Sequence, residues 1–197
     1  MIFEYLKSNI VVTDQQFDSI YPEKIKKLSK RHWSSIEVIK EVVSYLVRKP
    51  GTRVLDIGSG AGKFCLAGAS CSKGIFTGVE YRANLFELSN KIAKYYSICN
   101  VHFIHADITE IQFNEYDAFY FYNPFHENID IGAKIDDTVK TSPGNYETGT
   151  IYVRNQLALA PKGTRIVTYW SYCKEIPPGY KFQYTSPDGK LKFWKKI

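Results

Sequence analysis

Between residues 34 and 47 the apolar side chains fall at Ile36, Ile39, Val42, Val43 and Leu46, a spacing of three and four that draws one stripe along a helix. Ser34 or Ser35 marks its start, and Pro50-Gly51 ends it, because proline cannot continue a helix. The period then changes. Arg53-Val54-Leu55-Asp56-Ile57 reads as a short buried strand running into Gly58, Gly60 and Gly62, with a helix able to begin near Gly62. Further strands are predicted over 75–79, 101–105, 116–122 and 165–170. Helices are predicted over 84–96, where Leu85, Leu88 and Ile92 share a side, and over about 150–159, stopped by Pro161-Lys162-Gly163. Residues 130–150, rich in Asp, Thr, Ser and Gly, read as a polar connection.

Strands alternating with helices in this rhythm imply βαβ units and a parallel sheet with right-handed crossovers and helices on both faces. The tail departs from it: 181–184 and 191–194 flank the turn signal Ser186-Pro187-Asp188-Gly189 and leave no room for a helix, so they read as an antiparallel hairpin. The expected fold class is α/β, an open, mostly parallel sheet of the seven-stranded type with that hairpin at one edge. A chain of 197 residues suits a single domain. Residues 1–50 are expected to form a helical segment that can serve as a lid, and 51–197 the core.

Composition changes the picture only by exclusion. With 44% hydrophobic and 23% charged residues the chain is of ordinary globular type. No apolar run approaches the roughly 20 residues of a membrane span, and Glu4 and Lys7 interrupt the first ten positions, so a cytoplasmic protein with no membrane partner is expected. Cys65, Cys71, Cys99 and Cys173 form no C-x-x-C pair, which argues against zinc or a disulfide framework and for buried free thiols; no metal is expected. The net charge of +6 lies partly in 24–31 and 190–196, two stretches read as solvated faces.

The glycine loop carries the chemistry. A loop of this kind between a buried strand and a helix lets backbone approach a ligand and offers free N–H groups. A phosphate-binding P-loop fails twice: Gly58 precedes Gly62-Lys63 by four positions, and Phe64 has no hydroxyl for magnesium. The dinucleotide fingerprint fails because Lys63 stands where the third glycine belongs. Asp56 at the strand end is poorly placed for a pyrophosphate and suits a ligand carrying an ammonium group, as S-adenosyl-L-methionine does.

The string Asp56-Ile57-Gly58-Ser59-Gly60-Ala61-Gly62 resembles the first motif, [DE]-x-G-x-G-x-G, of the class I Rossmann-like S-adenosylmethionine-dependent methyltransferases. Gly78-Val79-Glu80 resembles the acidic end of the second strand, 24 positions after Asp56, His105-Ala106-Asp107-Ile108 the adenine-side motif, and Tyr122-Asn123-Pro124-Phe125 the fourth motif. Together they cover roughly residues 53 to 125. The resemblance implies that Asp56, Gly58, Ser59, Gly60, Gly62, Glu80, Tyr81, Asp107, Ile108 and Asn123 contact the cofactor, Glu80 at the ribose hydroxyls and Asp107 near the adenine amino group. It also implies a catalytic set of Asn123, Pro124 and Phe125. In amino methyltransferases of the N-P-P-[YF] type an amide before proline orients the acceptor nitrogen, but here the string is one proline short. The first two motifs also resemble those of the non-SET histone-lysine methyltransferases.

Each residue also has a plainer reading. Asp56 can cap the next helix, Glu80 can pair at the surface with its neighbour Arg82, Asp107 can cap a turn over 108–111, and Asn123-Pro124 can be only a turn. A proline after Asn123 is expected to bias it away from helical angles. His126 and Glu127 offer an acid or base, or exposed polar surface. His32-Trp33 offers a lid over the cofactor or a helix-entry staple. Three functions remain: a methyltransferase acting on a nitrogen or oxygen, a silent cofactor-binding module, and a dinucleotide-dependent oxidoreductase. With no nucleic-acid-binding module appended, a small-molecule or protein acceptor is expected before a nucleic acid.

Overall fold

The computed structural model describes residues 2–130, 132 and 134–197. Four helices come first: α1 (Ile2–Lys7), α2 (Asp14–Asp18), α3 (Glu23–His32) and α4 (Ile36–Leu46). The α4 stripe is buried throughout, and Ser35 caps the helix by accepting from the Val38 N–H at 3.3 Å. Sequence periodicity finds only α4. The other three are short or highly charged, and α2 is fixed by a capping box in which Thr13 and Gln16 bond each other's backbone N–H.

The core follows as β1 (Arg53–Ile57), α5 (Lys63–Cys71), β2 (Ile75–Glu80), α6 (Ala83–Tyr95), β3 (Val101–His105), β4 (Ala118–Tyr122), α7 (Pro143–Leu159), β5 (Arg165–Tyr169), β6 (Tyr180–Thr185) and β7 (Leu191–Lys196). The sheet runs in the order β3-β2-β1-β4-β5-β7-β6. β1 to β5 are mutually parallel, and β7 is antiparallel to both β5 and β6. The fold is therefore an α/β sheet of seven strands, mostly parallel, with a C-terminal antiparallel hairpin.

β4 and, from Val54 on, β1 are buried nearly throughout because helices cover both their faces, Asp56 being the one charged residue of that buried stretch. On one side Val54, Phe64, Phe76, Tyr120 and Phe193 join the buried stripes of α4, α5 and α6 together with Phe3, Leu6 and Phe17 from the N-terminal helices. On the other, Leu55, Ile57, Phe119, Phe121 and Ile166 pack under Val153 and Leu157 of α7.

Two element starts depart most from the sequence reading, the other boundaries shifting by two residues at most. α7 starts seven residues before the predicted position 150, at Pro143, because Ser142 accepts from the Asn145 N–H at 3.2 Å and proline is suited to a first turn. Its first half holds Gly144, Thr148 and Gly149 and shows no apolar stripe. β4 starts at Ala118 rather than Tyr116, after a 3₁₀ turn, Phe113–Glu115, that closes on Tyr116. Of the four thiols only Cys65 is buried; Cys71 and Cys173 are half-buried and Cys99 is exposed. No helix among the described residues is long and apolar enough to cross a membrane.

Candidate active site

The strand order reverses direction between β1 and β4, which leaves a crevice at the carboxyl ends of the parallel strands, where ligands of open α/β sheets bind. A cavity of about 870 Å³ lies there. Gly58 and Gly60 line it from the loop after β1, Glu80 and Tyr81 from the end of β2, Asp107 and Ile108 from beyond β3, and Asn123, Pro124 and Phe125 from the end of β4. His32, Trp33, His126 and Glu127 line it too.

Asp56, Ser59 and Gly62 do not. Successive residues of a strand point to opposite faces, so Ile57 reaches the cavity side while Asp56 turns under α5, 3% exposed, with the Cys65 thiol 3.5 Å from its Oδ2. Burial pushes the Asp56 carboxyl up to about 8, against the Cys65 hydrogen bond and with help from the Glu80 charge. Gly62, at φ +79, heads α5 where a Cβ would lie 2.6 Å from the Phe103 ring and 2.8 Å from Ser89. Ser59 packs against Gly78, and its buried hydroxyl has no partner among the described residues.

Glu80 is 5% exposed and is not surface-paired. Its Oε2 accepts from the Gly60 N–H and its Oε1 from the Arg82 N–H, each at 2.8 Å, so it braces the glycine loop while lining the cavity. Burial raises its pKa in spite of these two bonds. Arg82, whose backbone Glu80 holds, closes the same wall: its guanidinium grips Glu127 through bonds of 2.9 and 2.6 Å and reaches Asp136 at 3.0 Å. Burial alone would raise Asp136, yet bonds from Thr138 and Arg82 hold it at about 2. Glu127 is thus the anchor of an ion pair that ties the loop after β4 to the start of α6. His126 has its Nε2 3.5 Å from Asp130, while its Nδ1 is buried with no partner among the described residues.

Asp107 does cap a turn, accepting from the Thr109 N–H at 2.9 Å and its hydroxyl at 2.7 Å through Oδ1 alone. Oδ2 makes no hydrogen bond among the described residues. Asn123 stands at φ +43, the left-handed region, and so keeps out of the right-handed helical angles that Pro124 disfavours without being extended. Asparagine tolerates that region better than most residues, and its side-chain amide carries no hydrogen bond among the described residues. Phe125 presses on α7 at Gly149, where a Cβ would lie 2.7 Å from its ring.

The N-terminal helices cover the glycine loop. A Cβ on Gly60 would lie 2.3 Å from the Trp33 indole nitrogen, and the Tyr21 hydroxyl donates to the Ala61 carbonyl at 3.1 Å. Lys63, 2% exposed, leaves the first turn of α5 and places its ammonium 2.8 Å from both Asp14 and Asp18 and 3.2 Å from the Ser29 hydroxyl. In the sequence Lys63 serves only to exclude a P-loop and a dinucleotide fingerprint. The missed signal was a lysine opening the apolar run Phe64-Cys65-Leu66-Ala67, where a charge survives only when paired. The stretch 24–31 is likewise no merely solvated face: Ile25 and Ser29 are buried, and Lys30 and Arg31 line the cavity. Burial, then the Arg31 charge, lower the pKa of His32 beside them.

A family model described as a methyltransferase domain matches residues 48–175. Among solved structures, TrmN from Thermus thermophilus is 18% identical with a TM-score of 0.61 and aligns over 87% of this chain and 52% of its own. An RNA methyltransferase from Salinibacter ruber in complex with S-adenosyl-L-homocysteine is 16% identical, TM-score 0.55, over 90% of this chain and 92% of its own. An S-adenosylmethionine-dependent O-methyltransferase from Thermotoga maritima is 16% identical, TM-score 0.57, over 89% and 72%. At such identities the likeness is one of fold. The chain spans about half the length of the Thermus protein. No curated protein matches it in sequence.

Proposed function

The chain belongs to the methyltransferase-domain family, whose methyl donor is S-adenosylmethionine, and from that premise we propose that it methylates a nitrogen or oxygen atom presented beside Asn123. The observation that carries the reading is the order of groups along one cavity: bare backbone at Gly58 and Gly60, the Glu80 carboxylate, the free Oδ2 of Asp107, and the unbonded Asn123 amide.

Those groups fit the donor part by part. A carboxylate has about four acceptor sites, so Glu80 keeps two for a vicinal diol after bonding Gly60 and Arg82. Asp107 Oδ2 is free to accept from an amino group. The glycines give room where a Cβ on Gly58 would lie 2.9 Å from Pro124. When bound, the donor supplies a methyl group already activated on sulfur. What remains for the protein is to align the nucleophile and keep water out, and alignment contributes roughly 7 to 11 kcal/mol of barrier lowering. The Asn123 carbonyl can accept from an acceptor N–H or O–H and so set its direction, with Phe125 held behind it by Gly149. Glu127 is taken up by Arg82 and serves no proton transfer in this scheme.

Calorimetry with S-adenosylhomocysteine tests the donor site, with micromolar-class binding expected. Incubation with methyl-labelled donor and fractionated cell extract tests turnover: label should enter protein, nucleic acid or a small molecule. Tight cofactor binding with label in none of them would leave a silent binding module, and absent heat would overturn the donor site itself.

A further inference from the structure

Trp170 follows β5 directly and lines the cavity, yet it is 48% exposed and stands at φ +52, a conformation a bulky side chain keeps only under constraint. The C-terminal hairpin supplies the constraint. The Trp170 N–H donates to the Lys190 carbonyl at 3.0 Å, and the Lys190 ammonium sits 3.9 Å from the ring centroid. Tyr172, 63% exposed, stands two residues on, its ring 6.1 Å from that of His126 in the cavity wall.

The charge left at this mouth is positive. Lys30 and Arg31 from α3 and Lys140 from the segment before α7 line the cavity, three cations against the one exposed carboxylate Asp130, while the lining Glu127 is held by Arg82. Glu80 and Asp107 belong to the donor side. Flat rings exposed beside ammonium groups suit a planar ring linked to negative charge, since any base stacks on an aromatic face and lysines neutralise phosphates. A lysine-rich peptide would bring its own positive charge against the same residues.

We infer that the methyl acceptor is a nucleobase of a single-stranded nucleic acid, stacked on Trp170 with its phosphates on Lys190 and the basic residues at the mouth. The inference rests on the methyl-transfer reading above and replaces the small-molecule or protein acceptor expected from sequence. In the transfer the base atom gains the methyl group, its new bond forming as the methyl–sulfur bond breaks, and its surplus proton passes to water while S-adenosylhomocysteine is left.

Fluorescence anisotropy of a labelled single-stranded RNA of about 12 nucleotides, within the span such sites cover, reads the binding with the protein saturated in S-adenosylhomocysteine. Affinity should fall with salt, log K against log salt having a slope of about −0.7 for each phosphate engaged, and Lys190→Gln should make that slope shallower by about 0.7. Trp170→Gly, which relieves the left-handed backbone and so leaves the fold stable, should weaken binding about tenfold or more, whereas Trp170→Phe keeps most of it. No anisotropy change, an unaltered affinity in Trp170→Gly, or competition by a lysine-rich peptide or a free mononucleotide at the concentration at which unlabelled RNA competes would each overturn the inference. Calorimetry with S-adenosylhomocysteine on the same samples separates the two readings: normal heat without RNA binding sinks only the acceptor, and missing heat sinks the donor site.

Discussion

Asn123 combines two properties that a single substitution would confuse, a side-chain amide at the cavity with no hydrogen bond among the described residues and a backbone at φ +43. Glycine takes that backbone without strain and alanine does not. Asn123→Gly is therefore expected to keep stability and cofactor affinity while turnover falls by orders of magnitude, because an orienting contact matters most in the transition state. Asn123→Ala should lose both turnover and about 1 kcal/mol or more of stability. Full turnover in the glycine variant would reduce Asn123 to a turn residue. Glu80→Ala should weaken S-adenosylhomocysteine by about 1.5 to 3 kcal/mol, the scale for losing bonds to a charged group. Because Glu80 also holds Gly60 and Arg82, its melting temperature should drop too, and an unchanged dissociation constant would exclude the ribose role. Asp56 gives a pH signature to the ligand-free protein. Its folded pKa of about 8 lies above the ordinary 3.8, so the stability this carboxyl contributes is full below pH 3.8 and is lost as pH rises toward 8. The slope is at most about 1.4 kcal/mol per pH unit. Asp56→Asn should flatten that part of the pH–stability profile and exceed the parent protein at pH above 8; parallel curves from acid to alkali would refute it.

At the scale of elements, the N-terminal helices and the glycine loop form one mechanical unit. α2 and α3 place Phe17 and Ile25 in the shared core, and Lys63 with Asp14, Asp18 and Ser29, together with Trp33 lying on Gly60, ties them further to α5. Removing one partner of a buried pair leaves the other charge uncompensated. Lys63→Met keeps the length of the side chain and should cost about 3 kcal/mol, toward the low end for such pairs because Asp14 stays half in water. Urea unfolding measures that loss. Hydrogen exchange should place it, with amides of α2 and α3 opening before those of β1 and β4. Uniform loss of protection across the sheet would mean that Lys63 supports the whole core rather than the clasp.

At the scale of the molecule, a ligand spanning the crevice touches loops from both halves of the sheet as well as α3, so its binding energy should appear as global stability. Saturation with S-adenosylhomocysteine at a hundred times its dissociation constant should add about 2.7 kcal/mol, with slower exchange at residues 58–62 and in α3 together, while a nicotinamide dinucleotide should add nothing. Protection confined to the glycine loop would show that α3 takes no part in closure. The parallel core, the glycine loop, the acidic end of β2 and the terminal hairpin were legible in sequence, since each rests on local periodicity, on a glycine at a strand end or on turn residues a few positions apart. The sequence alone determined that much, and with it the class of cofactor. Tertiary structure alone decided that Asp56 turns away from the cavity, that Asn123 takes a left-handed backbone, and that Lys63 finds Asp14, Arg82 finds Glu127 and Lys190 caps Trp170. Each of those pairs joins residues 20 or more positions apart, brought together only when helices and strands pack, and no local pattern of apolar and polar residues carries that distance.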